Sequence, residues 1–485
     1  MEDENKYFTL CDMPRTERFP GEQSEWLVLR YWLRIVDVYC AGLGSSGRGV
    51  LRIMIYNALQ FVSRKIMPSN WLPRYMDNPF QEDPEKGAKS VTKKWLMNEA
   101  EQLLKKIMNK SLSNDDLHGG AYTGGAGIAY AMLRASLSTF NHNREKPLRY
   151  GRRVLMQHLE AVIKVHFKHS LQRRKESSRE TYYLLGSLSI YVICILYEKE
   201  SEQSKQLADR IVEIGYLVAR TDVHGTGDDE LLAGRVGFLA AVCTLREHLG
   251  HKLIPDDCIG VVVNKIIASG RSYAASGRFE VPLMYQYHGR HYLGAAHGLM
   301  GILQMLLCFV EFLDGQAKSD VIKTVDWIVS LQLKNGNIPS KVEEKGLDRG
   351  ENELVHWCHG ATGAVHLMIV AYSRTRNERY LKCADAALKL IWQKGVLMKG
   401  PGICHGAAGS GYAFLLFHRL TGEQHYLDCA RCIAKAFLSE DFERRARTPD
   451  RPYSLFEGIS GTLCFLYDLL EPNKAQFPLV PIPFS

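Results

Sequence analysis

Two cysteines and a histidine stand at corresponding points of a short glycine-containing motif that recurs along the chain. Cys358 and Cys404 each lie two residues before the first glycine of their copy, and His405 follows Cys404 directly. Cysteine thiolate and histidine nitrogen are ligands that zinc prefers, and a catalytic zinc keeps one of its four positions open. The motif therefore predicts a zinc ion held by Cys358, Cys404 and His405. The alternative is two buried thiols beside an unrelated histidine.

Two further histidines occupy the position of His405 in other copies of the motif. His359 is a candidate fourth ligand, which would make a closed structural site, but we favour a neighbouring polar or proton-transfer group. His297 is predicted to act as a general acid or base, because imidazole titrates near neutral pH. A lone histidine is more often a hydrogen-bonded core residue. The shared motif position is what favours the functional interpretation.

These residues can meet only if the copies of the motif converge in space. The first glycines of seven copies stand at positions 124, 186, 234, 298, 360, 406 and 458, at intervals of 46 to 64 residues. Each copy lies between two helical patterns, and strand-like patterns are nearly absent. Seven helical hairpins that close on themselves form a double ring with every turn at the same end. The sequence therefore predicts an all-α fold, a seven-fold α/α toroid, over residues 71–485.

Residues 1–70 differ in composition and are predicted to form an N-terminal extension. Residues 26–66 carry six basic side chains and one acidic side chain between apolar residues. Such a basic amphipathic segment can make peripheral contact with a membrane, and the alternative, which we favour, is a helix packed on the body. Neither a secretory signal nor a spanning helix is indicated, so a cytoplasmic protein, in part membrane-associated, is expected. The net charge of +8 over 485 residues is mild, and no nucleic-acid partner is expected.

Five segments carry a resemblance to a known family: Trp357-Cys358-His359-Gly360, Gly402-Ile403-Cys404-His405-Gly406, Gly294-Ala295-Ala296-His297-Gly298, Pro282-Leu283-Met284-Tyr285 and Tyr453-Ser454-Leu455-Phe456-Glu457-Gly458. These segments resemble the LanC-like proteins, eukaryotic relatives of bacterial lanthionine cyclases. The stretches Ile302 to Leu307 and Gly402 to Leu416 look closest to the third animal type. The resemblance implies an α/α toroid that binds zinc through Cys358, Cys404 and His405. It also implies thiol chemistry, because the bacterial relatives add a peptide cysteine to dehydroalanine or dehydrobutyrine. The eukaryotic members resemble glutathione transferases that act on such electrophiles.

The resemblance also implies where glutathione would bind. The matching cationic positions are Arg74, Lys399 and Arg447, which would pair with the two carboxylates of glutathione. The alternative for each is an exposed surface charge. One departure from the bacterial cyclases is the segment Glu353-Leu354-Val355-His356, which lacks their arginine, and another is His359, where they have tyrosine. Cyclisation of a peptide substrate is therefore not expected.

Two functions follow as hypotheses. The first is zinc-dependent addition of glutathione to dehydroalanine or dehydrobutyrine in peptides and proteins, with His297 supplying the proton that the enolate needs. The second is a non-catalytic zinc- and glutathione-binding adaptor or signalling protein. The stretch Pro478-Leu479-Val480-Pro481 is a candidate ligand of an SH3-type partner, and the alternative is a chain end packed on the body.

Overall fold

The computed structural model describes residues 73–113, 116, 119–171, 178–199, 201–220, 228–250, 252–347 and 349–484. Within these ranges the chain forms seventeen α-helices and no β-strand, with isolated β-bridges only. In chain order the helices are α1 (Pro84–Lys89), α2 (Lys93–Met108), α3 (Gly120–Thr123), α4 (Gly125–Leu137), α5 (Glu145–Leu171), α6 (Ser187–Glu198), α7 (Glu202–Arg220), α8 (Arg235–Leu249), α9 (Asp256–Ser276), α10 (Leu299–Cys308), α11 (Gly315–Ser330), α12 (Ala361–Thr375), α13 (Glu378–Lys394), α14 (Ala407–Thr421), α15 (Gln424–Phe437), α16 (Glu440–Arg445) and α17 (Ile459–Leu470). The predicted all-α class is confirmed.

Seven outer helices alternate with seven inner helices. The outer helices are α2, α5, α7, α9, α11, α13 and α15, and the inner helices are α4, α6, α8, α10, α12, α14 and α17. Inner helices are buried on every side, as in α6, where each residue from Ser187 to Tyr197 is buried. Outer helices bury one face only, as in α7, where Ala208, Ile211 and Val218 recur at helical spacing. The burial pattern follows from the sequence, because helices that are apolar all round need neighbours on all sides.

The inner helices form a closed ring. Each one packs against the next along the chain, and the last, α17, packs against the first, α4. Helix α17 also packs against the first outer helix, α2. The predicted toroid is therefore confirmed, and its closure brings the first and last repeats together.

Every inner helix begins at one of the seven motif glycines, which we call the turn glycines. Gly360 has φ +106°, a left-handed conformation that side chains disfavour, and a Cβ there would lie 2.0 Å from the Leu354 carbonyl oxygen. Neighbouring turns also touch, since a Cβ on Gly294 would lie 1.8 Å from the Cys358 carbonyl oxygen. Glycine is therefore required both to start the helix and to let adjacent turns approach.

Main-chain hydrogen bonds link the turns to one another. Most of these bonds join residues that stand two positions before the turn glycines. We call the following four hydrogen bonds the turn belt: Tyr122 N–H to Leu184 O (2.8 Å), Leu184 N–H to Leu232 O (2.9 Å), Cys404 N–H to Phe456 O (2.9 Å) and Phe456 N–H to Tyr122 O (3.2 Å). The last bond joins the seventh turn to the first. The turns therefore lie at one end of the ring, as the repeat pattern predicted.

The C-terminal segment, residues 475–482, is buried inside the inner ring. The Leu479 carbonyl accepts a hydrogen bond from Thr244 of α8 (3.2 Å), and Phe477 packs on Tyr412 of α14 (5.3 Å between ring centroids). Because α8 and α14 are not neighbours in the ring, the segment crosses its interior. Pro478-Leu479-Val480-Pro481 is buried throughout, so an SH3-type groove cannot reach it in this conformation. The alternative of a chain end packed on the body describes what the structure has.

Two predictions concern parts of the chain outside the described residues. The N-terminal extension, residues 1–70, and the proposed membrane contact of residues 26–66 both precede residue 73, where the description begins. Among the helices of the described residues, none is both long enough and apolar enough to cross a membrane.

Candidate metal centre and thiol site

Cys358, Cys404 and His405 meet at the turns that precede α12 and α14. Their ligand atoms all lie within 4.8 Å of one another, although Cys358 and Cys404 belong to different repeats. The Trp357 N–H donates to the Cys404 carbonyl (3.0 Å), which holds the two turns side by side. Both cysteines are buried, and His405 is half-buried. The structure therefore brings together all three residues that the motif predicted as metal ligands.

The chemistry of this group suits a divalent metal ion. His405 Nδ1 is buried and has no hydrogen-bond partner among the described residues. Burial, together with the nearby Lys399 and His359, lowers the pKa of His405 to about 3, so the imidazole stays in the neutral form that binds metals. A hydrogen bond with Cys404, and then burial, raises the pKa of Cys358 well above its ordinary value. A bound cation reverses that preference, because a coordinating thiol is deprotonated. Two cysteines and one histidine are a donor set that zinc accepts with a position to spare.

A tyrosine from the first repeat completes the surroundings of the sulfurs. The Tyr122 hydroxyl donates a hydrogen bond to Cys404 Sγ at 2.9 Å, across 282 residues of sequence. The ring of Tyr122 stacks on Phe456, with centroids 4.8 Å apart and planes 11° apart. Tyr122 belongs to the first turn and Phe456 to the last, so this contact depends on closure of the ring.

His297 lies near this group and is held by a buried carboxylate. Its Nδ1 is 3.0 Å from Glu230 Oε2, and because a carboxylate oxygen accepts, Nδ1 carries the hydrogen. The same carboxylate accepts from the main-chain N–H groups of Leu232 (2.9 Å) and Ala233, which fixes its position. The imidazole also stacks on Tyr287, with centroids 4.4 Å apart and planes 10° apart. Nε2 of His297 is therefore the nitrogen available for proton transfer.

His359 lies between His297 and the cysteine turn. It is buried, its ring centroid is 6.5 Å from that of His297, and it directly follows Cys358. The Tyr292 ring packs against the His359 ring, with centroids 5.5 Å apart. The Lys341 ammonium lies over the Tyr292 ring, 4.9 Å from its centroid. His359 is not part of the group of converging ligand atoms found among the described residues. This position suits the proton-transfer or polar role that we favoured over a fourth ligand.

The structure also brings together the three predicted cations. The Met398 N–H donates to the Arg74 carbonyl (2.9 Å), and the Arg447 N–H donates to the Met398 carbonyl (2.8 Å). Lys399 follows Met398 directly, so Arg74, Lys399 and Arg447 surround one point of the backbone. All three are half-buried. The charges of Lys399 and Arg74 both contribute to lowering the pKa of the buried His356, after the larger effect of burial. The His356 ring centroid is 6.1 Å from that of His405, so the two cations act on a neighbour of the metal group.

Three residues of this site were not predicted from the sequence. Glu230 and His356 each stand four residues before a turn glycine, where the first, fourth and sixth turns carry glycine. Tyr122 stands two residues before a turn glycine, the position that Cys358 and Cys404 occupy in their own turns. A comparison of these two positions across all seven turns was the signal that could have found them. Four residues before the glycine, the other turns carry glycine, Tyr182 or Ser454, so the ionisable Glu230 and His356 stand out. Two residues before it, the other turns without cysteine carry leucine, alanine or phenylalanine, so the hydroxyl of Tyr122 stands out.

Comparison with protein families agrees with the fold. A family model described as lanthionine synthetase C-like protein matches residues 115–482. The chain belongs to this lanthionine synthetase C-like family. The match covers the turns that carry the metal group, and it ends within the buried C-terminal segment. The finer assignment to the third animal type stays a prediction.

A relative and a solved structure extend this finding. The glutathione S-transferase LANCL1 of Danio rerio is 31% identical over 384 residues, which are 77% of this chain and 87% of the relative. The structure of a nisin cyclase superposes with a TM-score of 0.56 at 17% identity, covering 79% of this chain and 99% of the cyclase chain. At that identity the likeness to the cyclase shows the shared helical toroid alone.

Proposed function

We propose that this protein is a zinc-dependent enzyme that adds the thiol of glutathione to dehydroalanine or dehydrobutyrine in peptides and proteins. The observation that carries the proposal is the convergence of Cys358, Cys404 and His405 within 4.8 Å, close to a histidine oriented by a buried carboxylate. The relative from Danio rerio is named a glutathione S-transferase, which supports glutathione as the thiol.

The metal group would activate the nucleophile, the glutathione sulfur. Cys358, Cys404 and His405 would hold the zinc, and the chemistry that the ion would supply is to keep the glutathione thiol as a thiolate at neutral pH. The protein contributes a neutral His405 and two buried sulfurs fixed by the turn belt. It also contributes the Tyr122 hydroxyl, which hydrogen-bonds to Cys404 Sγ.

The proton follows a separate route through His297. The glutathione sulfur forms a bond to the β-carbon of dehydroalanine, the π electrons move onto the carbonyl to give an enolate, and the α-carbon then needs a proton. His297 Nε2 accepts the proton that the thiol loses and returns it to the α-carbon, so the net reaction is addition of S and H across the double bond. Glu230 holds the imidazole by Nδ1 and stabilises its positive charge in between. In this proposal His359 donates a hydrogen bond to the enolate oxygen as charge develops there.

Arg74, Lys399 and Arg447 bind the two glutathione carboxylates in this proposal. Their backbones meet at Met398, and guanidinium and ammonium groups pair well with carboxylates in partly buried sites.

The alternative is a zinc- and glutathione-binding adaptor without turnover. The pairing of Glu230 with His297 favours the enzyme, because a site that only binds has no use for an oriented proton carrier. The proline stretch that favoured an adaptor is buried within the C-terminal segment, so it no longer supports that hypothesis.

Adduct formation tests the proposal. The full-length protein would be incubated with millimolar glutathione and a dehydroalanine peptide, and the adduct would be quantified by mass spectrometry for wild type, His297→Asn and the matched control His425→Asn. We expect turnover by wild type and by His425→Asn, whose histidine lies on the outer helix α15, and a loss of about 100-fold or more in His297→Asn. Binding of zinc and glutathione without any adduct would favour the adaptor instead.

A further inference from the structure

The buried C-terminal segment reaches the metal group from inside the ring. After the last inner helix the chain turns inward, and Phe477 is fully buried against residues of three repeats. Its ring stacks on Trp357, with centroids 5.1 Å apart and planes 27° apart. Trp357 directly precedes Cys358, and its main-chain N–H donates to the Cys404 carbonyl. The segment therefore contacts the turns that carry both cysteines.

From Phe477 a continuous row of aromatic rings leads to the sulfur of Cys404. Trp357 packs on Phe456 at 5.6 Å between centroids, and Phe456 stacks on Tyr122 at 4.8 Å. The Tyr122 hydroxyl then donates to Cys404 Sγ at 2.9 Å. We call Phe477, Trp357, Phe456 and Tyr122 the aromatic row. Phe477, Trp357 and Phe456 are each less than 2% exposed, so none of these three rings can move without displacing its neighbours.

A hydrogen bond to a metal-binding sulfur changes what that sulfur does. It lowers the energy of the sulfur lone pair, reduces the negative charge that the thiolate presents to the metal, and fixes the sulfur in space. Tyr122 can make this bond only while its ring stays stacked on Phe456. The position of Phe456 depends in turn on Trp357 and Phe477, which pack against it from the interior at 5.6 Å and 6.2 Å.

We propose that the C-terminal segment is a structural part of the metal centre: Phe477, acting through the aromatic row, positions the Tyr122 hydroxyl on Cys404 Sγ and so sets the metal affinity and the donor strength of that sulfur. This inference rests on the proposed metal-dependent function. Phe477 and Tyr122 are positioning residues in it, since neither contacts the reacting atoms.

The test is a double-mutant cycle read by cobalt spectroscopy and zinc affinity. Cobalt(II) would replace zinc, and the sulfur-to-cobalt charge-transfer band would be recorded for wild type, Tyr122→Phe, Phe477→Leu and the double variant. Zinc affinity would be measured by competition with a chromophoric chelator. The matched control is Phe484→Leu, which removes an aromatic ring from the same chain end, where Phe484 lies against Arg419 rather than in the aromatic row.

We expect Tyr122→Phe and Phe477→Leu each to move the charge-transfer band to longer wavelength, because the sulfur lone pair rises without its hydrogen bond. Each should weaken zinc binding about tenfold, because without the bond Cys404 Sγ is no longer held in place, and this loss outweighs the gain in negative charge on the sulfur. The double variant should match Tyr122→Phe alone, because Phe477 acts through the same hydroxyl. Phe484→Leu should match wild type in both measurements.

Phe477→Leu that lowers only the thermal stability, with an unchanged band and affinity, would overturn the inference. So would additive effects in the double variant. If Phe477→Leu does not fold, Phe456→Leu interrupts the aromatic row closer to Tyr122. The same two measurements, the charge-transfer band and the zinc affinity, then decide. A wild-type protein that takes up neither cobalt nor zinc would refute the proposed function itself, which separates the two failures.

Discussion

Glu230→Gln is the change that tests the proton route most sharply. The Glu230 carboxylate is 2% exposed and accepts from His297 Nδ1, Leu232 N–H and Ala233 N–H. Glutamine keeps nearly the same shape but has one acceptor oxygen instead of two and no charge. The hydrogen bond to His297 then becomes a neutral one, which is weaker by about 1.5 kcal/mol than a bond to a charged acceptor.

That difference corresponds to about a tenfold loss of kcat, because 1.4 kcal/mol is a factor of ten in rate. The KM for glutathione should stay the same, since Glu230 acts on the proton carrier and not on the cationic group around Met398. One main-chain N–H also loses its acceptor, which should lower the free energy of unfolding by about 1–3 kcal/mol. Kinetics would be followed by mass spectrometry of the adduct, and stability by urea unfolding.

The control for this variant is Glu180→Gln. Glu180 accepts from Tyr191 (2.9 Å) and twice from Arg210 (2.9 and 2.8 Å), so its loss removes a carboxylate with a similar number of partners away from the metal turns. It should leave kcat unchanged. A folded Glu230→Gln protein with wild-type kcat would refute the assignment of His297 as the proton carrier.

Three further predictions follow from the charges and buried groups. Lys399→Gln should raise the KM for glutathione about tenfold without changing zinc content, whereas the exposed Lys389→Gln should change neither, as steady-state kinetics would reveal. Burial lowers the pKa of His366 from 6.5 to about 3, so the unfolded chain takes up a proton first and the free energy of unfolding falls as pH drops from about 6.5 towards 3. His366→Leu should recover about 2 kcal/mol of this free energy at about pH 5, measured by urea unfolding. Equal pH dependence of the two proteins would contradict this. Asp468→Asn should lower the free energy of unfolding by about 3–5 kcal/mol, because Arg134, whose side chain is 13% exposed, would lose its buried counter-ion. Urea unfolding would measure this, and a loss under about 1 kcal/mol would show that the pair is dispensable.

The sequence predicted the ring because the determinant of each inner helix is local. A glycine at the helix start and an apolar run after it are visible within a dozen residues, and their sevenfold recurrence indicates a closed array. The same register placed Cys358 and Cys404 at equivalent points, so their meeting followed from the repeat itself. His405 and His297 were found by the same argument.

What the sequence could not give are contacts made by closure of the ring. Tyr122 and Cys404 are 282 residues apart, and only the packing of the last repeat on the first brings them together. The sequence likewise does not decide where the segment from Phe477 to Pro481 lies, because a proline-containing apolar stretch fits either the groove of a partner protein or the interior of its own ring. Its burial depends on a space that the seven inner helices enclose, which no local pattern describes.

The most direct test of the account is the metal content of the purified full-length protein. Zinc would be measured by mass spectrometry of the metal in wild type, in Cys404→Ser and in Cys429→Ser, whose cysteine is equally buried but lies on α15 outside the metal group. We expect about one zinc per chain in wild type and in Cys429→Ser, and a loss of zinc in Cys404→Ser. Wild-type protein without zinc, prepared in the absence of chelators, or full zinc in Cys404→Ser, would contradict it.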